Sequence, residues 1–128
     1  MSPAIDSRFA AYELCVGRSR IHGWGVHAAQ AIPLRHQVIE YTGQRLTRDE
    51  ANRRLHKICR NPRTRRLTLF QLDRYWRIDG AVGGSAAEYV NHCCDRNLRT
   101  SIICGHILLF SRRRKSCLLG PCSAARLY

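Results

Sequence analysis

Short apolar segments separated by glycines and polar turn residues are the feature that most restricts what this chain can fold into. Leu14 to Val16 and Val38 to Tyr41 have the length and composition of strands and are too short for helices. Glycine, asparagine and proline interrupt the chain between such segments. We therefore predict a mostly β fold with little helix, built from several small sheets.

Two pairs of apolar segments predict β-hairpins. We place their turns at Asp73-Arg74 and at the glycine-containing Gly105-His106. The paired segments are Leu67 to Leu72 with Tyr75 to Ile78, and Ile102 to Cys104 with Ile107 to Phe110.

A capping box marks the start of one predicted helix. Thr47 and Glu50 have the spacing at which the threonine oxygen accepts one free backbone amide and the glutamate reaches back to another. Pro62 ends the helix, because the residue before a proline disfavours helical geometry. One modest apolar stripe follows the box, made of Ala51, Leu55 and Ile58.

The charge of the chain comes almost entirely from arginine. The 128 residues include 22 Lys+Arg against 9 Asp+Glu, which gives a formal charge of +13. Only Lys57 and Lys115 are lysines, and guanidinium groups favour bidentate phosphate and carboxylate contacts. The clusters Arg63 to Arg66 and Arg112 to Arg114 favour contact with nucleic acid, although a solvated basic face also explains such runs.

The seven cysteines and the apolar segments bear on the compartment. The cysteines lack the dense spacing of a disulfide framework and include no CxxC pair, so we expect reduced thiols. No segment approaches the roughly 20 apolar residues of a membrane span. With 45% hydrophobic residues the chain can build a core, and we expect an intracellular protein without membrane contact.

Two motifs carry chemical information. Gly23-Trp24-Gly25-Val26 puts a glycine on each side of an aromatic residue, so that the backbone can approach a ligand closely; an ordinary turn is the simpler interpretation. Asn91-His92-Cys93-Cys94-Asp95 concentrates hydrogen-bonding side chains and is too polar and turn-prone to predict a strand. A satisfied loop and a metal site with further ligands from elsewhere both remain open for it.

Taken in order, these segments resemble the SET domain, the fold of many protein-lysine methyltransferases. The resemblance divides the chain into a flexible lead-in (1–11), a SET-like domain (12–114) and a divergent tail (115–128). It is carried by Gly17-Arg18-Ser19, Gly23-Trp24-Gly25-Val26, Glu40-Tyr41-Thr42-Gly43, Leu69-Phe70-Gln71-Leu72-Asp73, Ile78-Asp79-Gly80, and Asn91-His92-Cys93-Cys94-Asp95 with Asn97.

The resemblance implies an S-adenosylmethionine cofactor and a site for it. Gly23, Trp24 and Gly25 would hold the methionine part of the cofactor. Asn91 and His92 would hold its amino and adenine ends. The substrate lysine would enter from the opposite side through a narrow channel.

Tyrosines would complete that site. The resemblance places Tyr41 in the lysine channel and gives Tyr89 a packing role at least as readily as a substrate contact. SET domains normally continue into a Glu-Leu-x-Tyr-Asp-Tyr strand, which packs on the Asn-His segment to complete a knot-like core and carries the tyrosine nearest the methyl group. This strand is missing or altered here, from which we hypothesise a shifted reading frame or an alternative end. Tyr128 is a candidate substitute for the missing tyrosine, although nothing around it matches the motif.

The same resemblance argues against zinc. Relatives with a cysteine-rich tail bind the metal through one cysteine of the Asn-His motif, here Cys94, and three tail cysteines. Only Cys117 and Cys122 are available in this tail, so we predict no metal site.

The sequence thus predicts an S-adenosylmethionine-dependent protein-lysine N-methyltransferase that acts on a basic, histone-like protein, with activity impaired by the altered tail. Its location would be cytoplasmic in a bacterium and nuclear, on chromatin, in a eukaryote. The alternative is a non-catalytic basic module that binds nucleic acid or chromatin through a degenerate SET fold.

Overall fold

The computed structural model describes residues 3–18, 23–60, 68–92, 97–112 and 126–127 of the chain. The mostly β fold is confirmed, since within these residues one helix accompanies ten strands and two 3₁₀ turns, Ser7–Phe9 and Ala87–Tyr89. In chain order the elements are β1 (Leu14–Arg18), β2 (Trp24–Ala28), β3 (Gln37–Tyr41), β4 (Gln44–Thr47), α1 (Arg48–Arg60), β5 (Leu69–Gln71), β6 (Trp76–Asp79), β7 (Asn91–His92), β8 (Leu98–Ile103), β9 (His106–Ser111) and β10 (Arg126–Leu127).

The strands form four small sheets. Two are three-stranded and antiparallel, with the orders β3-β9-β8 and β4-β6-β5. A third is the antiparallel pair β1-β2, and the fourth is the parallel pair β7-β10. The expectation of several small sheets is therefore confirmed.

Both predicted hairpins form, but one turn lies a residue earlier than expected. The β8-β9 turn consists of Cys104 and Gly105, with φ of 51° and 79°, and Ile103 pairs with His106. Two successive positive φ values match the right-handed twist of the flanking strands, which explains the position of the turn. In the β5-β6 hairpin, the carboxylate of Asp73 accepts the amides of Tyr75 and Trp76, each at 2.8 Å.

Helix α1 begins at the predicted capping box and ends just before Asn61-Pro62. The hydroxyl oxygen of Thr47 accepts the Glu50 amide at 3.2 Å, as expected. The Glu50 carboxylate accepts the Thr47 hydroxyl at 2.9 Å rather than a backbone amide. Of the predicted stripe only Ala51 is buried, and Leu55 remains 36% exposed, so α1 lies on the side of the fold.

One strand was missed from the sequence, and one expectation about a strand was wrong. Strand β4 was not predicted, because Leu46 is its only buried residue and the segment shows no apolar alternation. Asn91 and His92 belong to the segment described as too polar and turn-prone to predict a strand. The backbone of Arg126–Leu127 instead pairs with Asn91–His92. Backbone pairing does not require apolar side chains, so the polarity of Asn91 and His92 did not prevent it.

The core lies between these sheets. It consists of Val26, Ala28, Ile32, Val38, Ile39, Tyr41, Leu72, Ile78, Ala87, Val90, Leu98, Ile107 and Leu109.

No helix among the described residues is long and apolar enough to cross a membrane.

Candidate functional site

Tyr41 ends β3 as a buried tyrosine held at both its ring and its hydroxyl. Only 7% of the residue is exposed, and its ring lies at a centroid distance of 5.0 Å from Phe70, at an interplanar angle of 49°. Its hydroxyl donates a hydrogen bond to the backbone carbonyl of Thr68. Buried tyrosines need such a partner for the hydroxyl, and here that partner fixes the direction of the ring.

A buried carboxylate holds Thr68 in turn. The Thr68 hydroxyl donates to one oxygen of Asp79 at 2.6 Å, and Arg54 on α1 donates to the other at 2.7 Å. The side chain of Asp79 is 3% exposed and that of Arg54 34% exposed. We call Tyr41, Thr68, Asp79 and Arg54 the tyrosine network.

The charge of Asp79 is maintained despite its burial. Burial alone raises the pKa of this carboxyl, but the hydrogen bonds from Thr68, Arg54 and the Ala81 amide outweigh it and hold the pKa below the usual 3.8. Asp79 is therefore an anion at neutral pH and a strong acceptor for Thr68.

Close backbone packing fixes the segments on either side of this network. A Cβ at Gly43 would overlap the carbonyl of Asp79, and one at Gly84 would overlap the carbonyl of Gly80. At Gly80 a Cβ would come within 2.7 Å of the Tyr41 hydroxyl oxygen. These glycines therefore allow residues 41–43 and 79–84 to interlock, and no side chain fits in their place.

The Gly-Trp-Gly motif lies at the start of β2 rather than in a turn before it. Gly23 has φ of 51°, a left-handed conformation that favours glycine. Trp24 is half-buried and Gly25 is buried. The guanidinium carbon of Arg18 lies 4.3 Å from the centre of the Trp24 ring, in cation–π geometry.

The 3₁₀ turn Ala87–Tyr89 connects the predicted site segments. It contacts both β2, which carries Trp24, and β3, which carries Tyr41, and Val90 then leads into β7. The backbones of Asn91 and His92 in β7 are thus close in the chain to a turn that packs on both other segments. Tyr89 packs against the core, in agreement with the packing role implied for it.

Several predicted residues lie outside the described part of the chain. They include Tyr128, the three cysteines weighed for zinc (Cys94, Cys117 and Cys122), the arginine cluster Arg63 to Arg66, and Arg113 and Arg114 of the second cluster. Among the described residues no group of three His, Cys, Asp or Glu side chains is arranged to hold a metal ion. The absence of zinc stays a prediction.

Sequence reasoning missed the tyrosine network. Asp79 contributes to the resemblance within Ile78-Asp79-Gly80, but it received no role. Arg54 is one of 20 arginines, and no local pattern distinguishes it from the others. Only the packing of α1 beside β4 and β6 brings the two residues together.

The several small sheets with one helix agree with the fold that the resemblance implied. The chain belongs to the SET domain family, whose model matches residues 23–115.

Similar sequences include the Saccharomyces cerevisiae protein "Histone-lysine N-methyltransferase, H3 lysine-4 specific", which is 36% identical over 86 residues, 67% of this chain. Human "Histone-lysine N-methyltransferase SETD1A" is 34% identical over 75% of the chain, and zebrafish "Histone-lysine N-methyltransferase SUV39H1-A" is 36% identical over 74%. The chain spans only 8%, 6% and 23% of the lengths of these three relatives.

Two solved structures are similar over most of the chain. "Structure of ctPRC2 in complex with H3K27me3 and H3K27M" has a TM-score of 0.78 and 27% identity, and the match covers 92% of this chain and 14% of that one. "ctPRC2 in an autoinhibited conformation bound to S-adenosylmethionine" has a TM-score of 0.75 and 26% identity, covering 91% and 15%.

Proposed function

We propose that this chain transfers a methyl group from S-adenosylmethionine to the ε-amine of a lysine in a basic protein, with a histone tail as the substrate class. The fixed position of Tyr41 carries the proposal. It is buried against Phe70 and held by Thr68, next to the turn that leads into Asn91–His92. Relatives named as histone-lysine methyltransferases and a neighbour bound to S-adenosylmethionine support it.

The residues present fit such a cofactor in two respects. Among the described residues, and apart from Gly23 and its two chain neighbours, no atom lies within 4 Å of where a Cβ of Gly23 would stand, so there is room beside this backbone. The hydroxyl oxygen of Thr42, next to Tyr41, is buried and has no hydrogen-bond partner in the described part of the chain. A buried oxygen of this kind favours a bound polar group nearby.

In this proposal each segment has a role toward the cofactor. Gly23, Trp24 and Gly25 hold its methionine part, and Asn91 and His92 hold its amino and adenine ends. When bound, S-adenosylmethionine supplies an electrophilic methyl group on a positively charged sulfur.

Tyr41 and its apolar surroundings act on the substrate amine. A lysine with a pKa near 10.4 is neutral in only about one molecule in a thousand near neutral pH. An apolar aromatic channel disfavours the ammonium form and lowers that pKa, as does a nearby positive charge. Alignment of the neutral amine with the methyl group is then the main remaining requirement, and a fixed ring serves it.

The altered tail weakens the reaction in this proposal. Loss of one tyrosine that orients the amine and methyl group lowers the rate on the order of 10²-fold. We expect transfer by this chain to be slower than by a version carrying a Glu-Leu-x-Tyr-Asp-Tyr strand, and Tyr128 stays a candidate substitute.

We place the protein in the nucleus on chromatin, because the relatives named above come from yeast, human and zebrafish and are named for histones. None of these relatives supports the bacterial alternative. The non-catalytic alternative, a basic module that binds nucleic acid, would keep the fold and lose the cofactor site.

Cofactor binding distinguishes the proposed methyltransferase from the non-catalytic module. We expect S-adenosylmethionine at about 100 times its Kd to stabilise the wild-type chain by roughly 2.7 kcal/mol, a rise of several degrees in melting temperature. Asn91→Ala removes this rise, and Asn52→Ala, at an exposed asparagine on α1, retains it. A wild-type melting temperature that does not respond to the cofactor would support the non-catalytic alternative instead.

A further inference from the structure

A cavity of about 600 Å³ opens at one end of the β3-β9-β8 sheet, and its lining includes none of the residues assigned to methyl transfer. Three of the residues that line it are arginines, and we call it the arginine cavity. Its lining consists of Leu34, Arg35, Arg99, Ser111 and Arg112.

Backbone hydrogen bonds or strand pairing fix the main-chain position of each arginine. The Arg35 amide donates to the Ser111 carbonyl at 2.9 Å, and the Arg112 amide donates to the Asn97 carbonyl at 2.9 Å. Arg99 pairs across the sheet with Phe110, and its guanidinium carbon lies 4.7 Å from the centre of that ring. Stacking on a ring lowers the side-chain entropy that Arg99 would lose on binding a ligand.

Arg35 has a backbone conformation that arginine disfavours. Its φ is 63°, in the left-handed region where glycine is the unstrained residue. Strain of this kind persists where the surrounding structure imposes it, and such residues cluster at binding sites. Here the strained residue is one of the three arginines that line the cavity.

No carboxylate neutralises these charges within the described part of the chain. The ion pairs found there are Asp6 with Arg8, Asp79 with Arg54 and Glu40 with His106, and none includes a cavity arginine. None of the described acidic residues lines the cavity. Arg35, Arg99 and Arg112 therefore contribute an uncompensated positive potential at one place on the surface.

We infer that the arginine cavity binds the backbone phosphates of a nucleic acid. Guanidinium groups match phosphate oxygens in bidentate geometry, and three of them around an open cavity suit neighbouring phosphates of a strand better than one small anion. The excess of 22 Lys+Arg over 9 Asp+Glu favours the same polyanion over the whole chain. This site does not depend on the proposed methyl transfer, since its residues are separate from Trp24, Tyr41 and Asn91.

A matched pair of triple variants tests the inference on the full chain. One variant carries Arg35→Ala, Arg99→Ala and Arg112→Ala. The control carries Arg48→Ala, Arg53→Ala and Arg60→Ala, three exposed arginines of α1, so both lose the same charge. Binding of a fluorescent duplex DNA is followed by anisotropy over a series of salt concentrations.

We expect the cavity variant to bind the DNA at least about tenfold more weakly and the slope of log K against log salt to fall by roughly two to three. We expect the control to change the affinity by less than about threefold. Equal losses in the two variants would contradict the inference, because they would mean diffuse attraction to the whole surface. Loss of binding to phosphatidylserine vesicles with unchanged DNA binding would also overturn it, in favour of a lipid surface.

The single variant Arg35→Gly tests the inference even if the triple cavity variant does not fold. Glycine adopts the positive φ of Arg35 without strain, so we expect this variant to melt no lower than wild type and still to bind DNA several-fold more weakly. Wild-type DNA affinity in this variant would show that Arg35 does not contact the phosphate, and the inference would fail.

Discussion

The position of the Tyr41 ring depends on the backbone carbonyl of Thr68, and the buried carboxylate of Asp79 holds Thr68 in place. Thr68 accepts the tyrosine hydroxyl through its backbone and donates its own hydroxyl to Asp79, which also binds Arg54. A change at Asp79 therefore reaches Tyr41 through one intervening residue. Side chains that touch neither substrate nor cofactor can orient a reacting group in this way.

Asp79→Asn should weaken the fold by roughly 2–3 kcal/mol at neutral pH, because Arg54 and Thr68 lose an ionised acceptor in a buried place. The partial exposure of Arg54 keeps the loss below that of a fully buried pair. Urea unfolding measures it, with Asp49→Asn at an exposed carboxylate of α1 as the control.

The contribution of Asp79 to the free energy of unfolding decreases as the pH falls. Because the pKa of Asp79 is lowered in the folded state, its contribution is complete above the usual pKa of 3.8 and is lost as the pH falls through the lowered value. The wild type should therefore approach the stability of Asp79→Asn in acid. A difference between the two that stays constant down to strongly acidic pH would contradict this account.

For single residues, the sequence identified candidate site residues but not the residues that they contact. Tyr41, Trp24 and the Asn-His pair could be selected from motifs because those motifs are local in the chain. The bond from Tyr41 to Thr68 joins residues 27 positions apart, and Gly43 meets a carbonyl of β6. Such contacts depend on how the sheets pack, which no local pattern contains.

Among the elements, those with a local chemical signal were predicted and those that depend on a distant partner were not. Helix α1 begins where Thr47 and Glu50 predicted, because both residues of the box belong to one turn. The β8-β9 hairpin was predicted with its turn displaced by one residue, since Cys104 gives no sign that it adopts a positive φ. Strands β4 and β7 are defined by β6 and β10, and their own sequences do not alternate.

Thr47→Ala should destabilise the protein by about 1 kcal/mol, because the Glu50 amide loses its acceptor at the start of α1. Thr47→Ser keeps a hydroxyl oxygen at this position and should retain most of the stability. Thermal or urea unfolding of both variants provides the comparison. If serine were as destabilising as alanine, packing of the threonine methyl group rather than capping would explain the loss.

For the whole molecule, the segment β10 links the last part of the chain to the Asn-His segment. Its two residues pair in parallel with Asn91 and His92, in the neighbourhood that the resemblance assigns to a longer strand. The formal charge of +13 also concerns the whole molecule, because it repels the basic tails proposed as substrates. Phosphate bound in the arginine cavity would reduce that repulsion and bring the chain close to nucleic acid that carries such tails.

Backbone pairing with β10 predicts protection from hydrogen exchange. Adjacent amides of a strand point to opposite sides, so one of the Asn91 and His92 amides faces β10. We expect that amide to exchange faster in the double variant Arg126→Pro, Leu127→Pro, because proline disrupts the pairing of β10 with β7. Arg126→Ala with Leu127→Ala keeps the backbone groups and should leave the exchange slow. Equal exchange rates in the proline and alanine variants would show that β10 does not protect β7.

Transfer of a labelled methyl group from S-adenosylmethionine to core histones tests the central claim most directly. We predict label on histone lysines with the wild-type chain, more label when a Glu-Leu-x-Tyr-Asp-Tyr strand is added, and none above background with Asn91→Ala. An absence of label from both the wild type and the version with the added strand, with both proteins folded, would contradict the claim that this chain is a lysine methyltransferase.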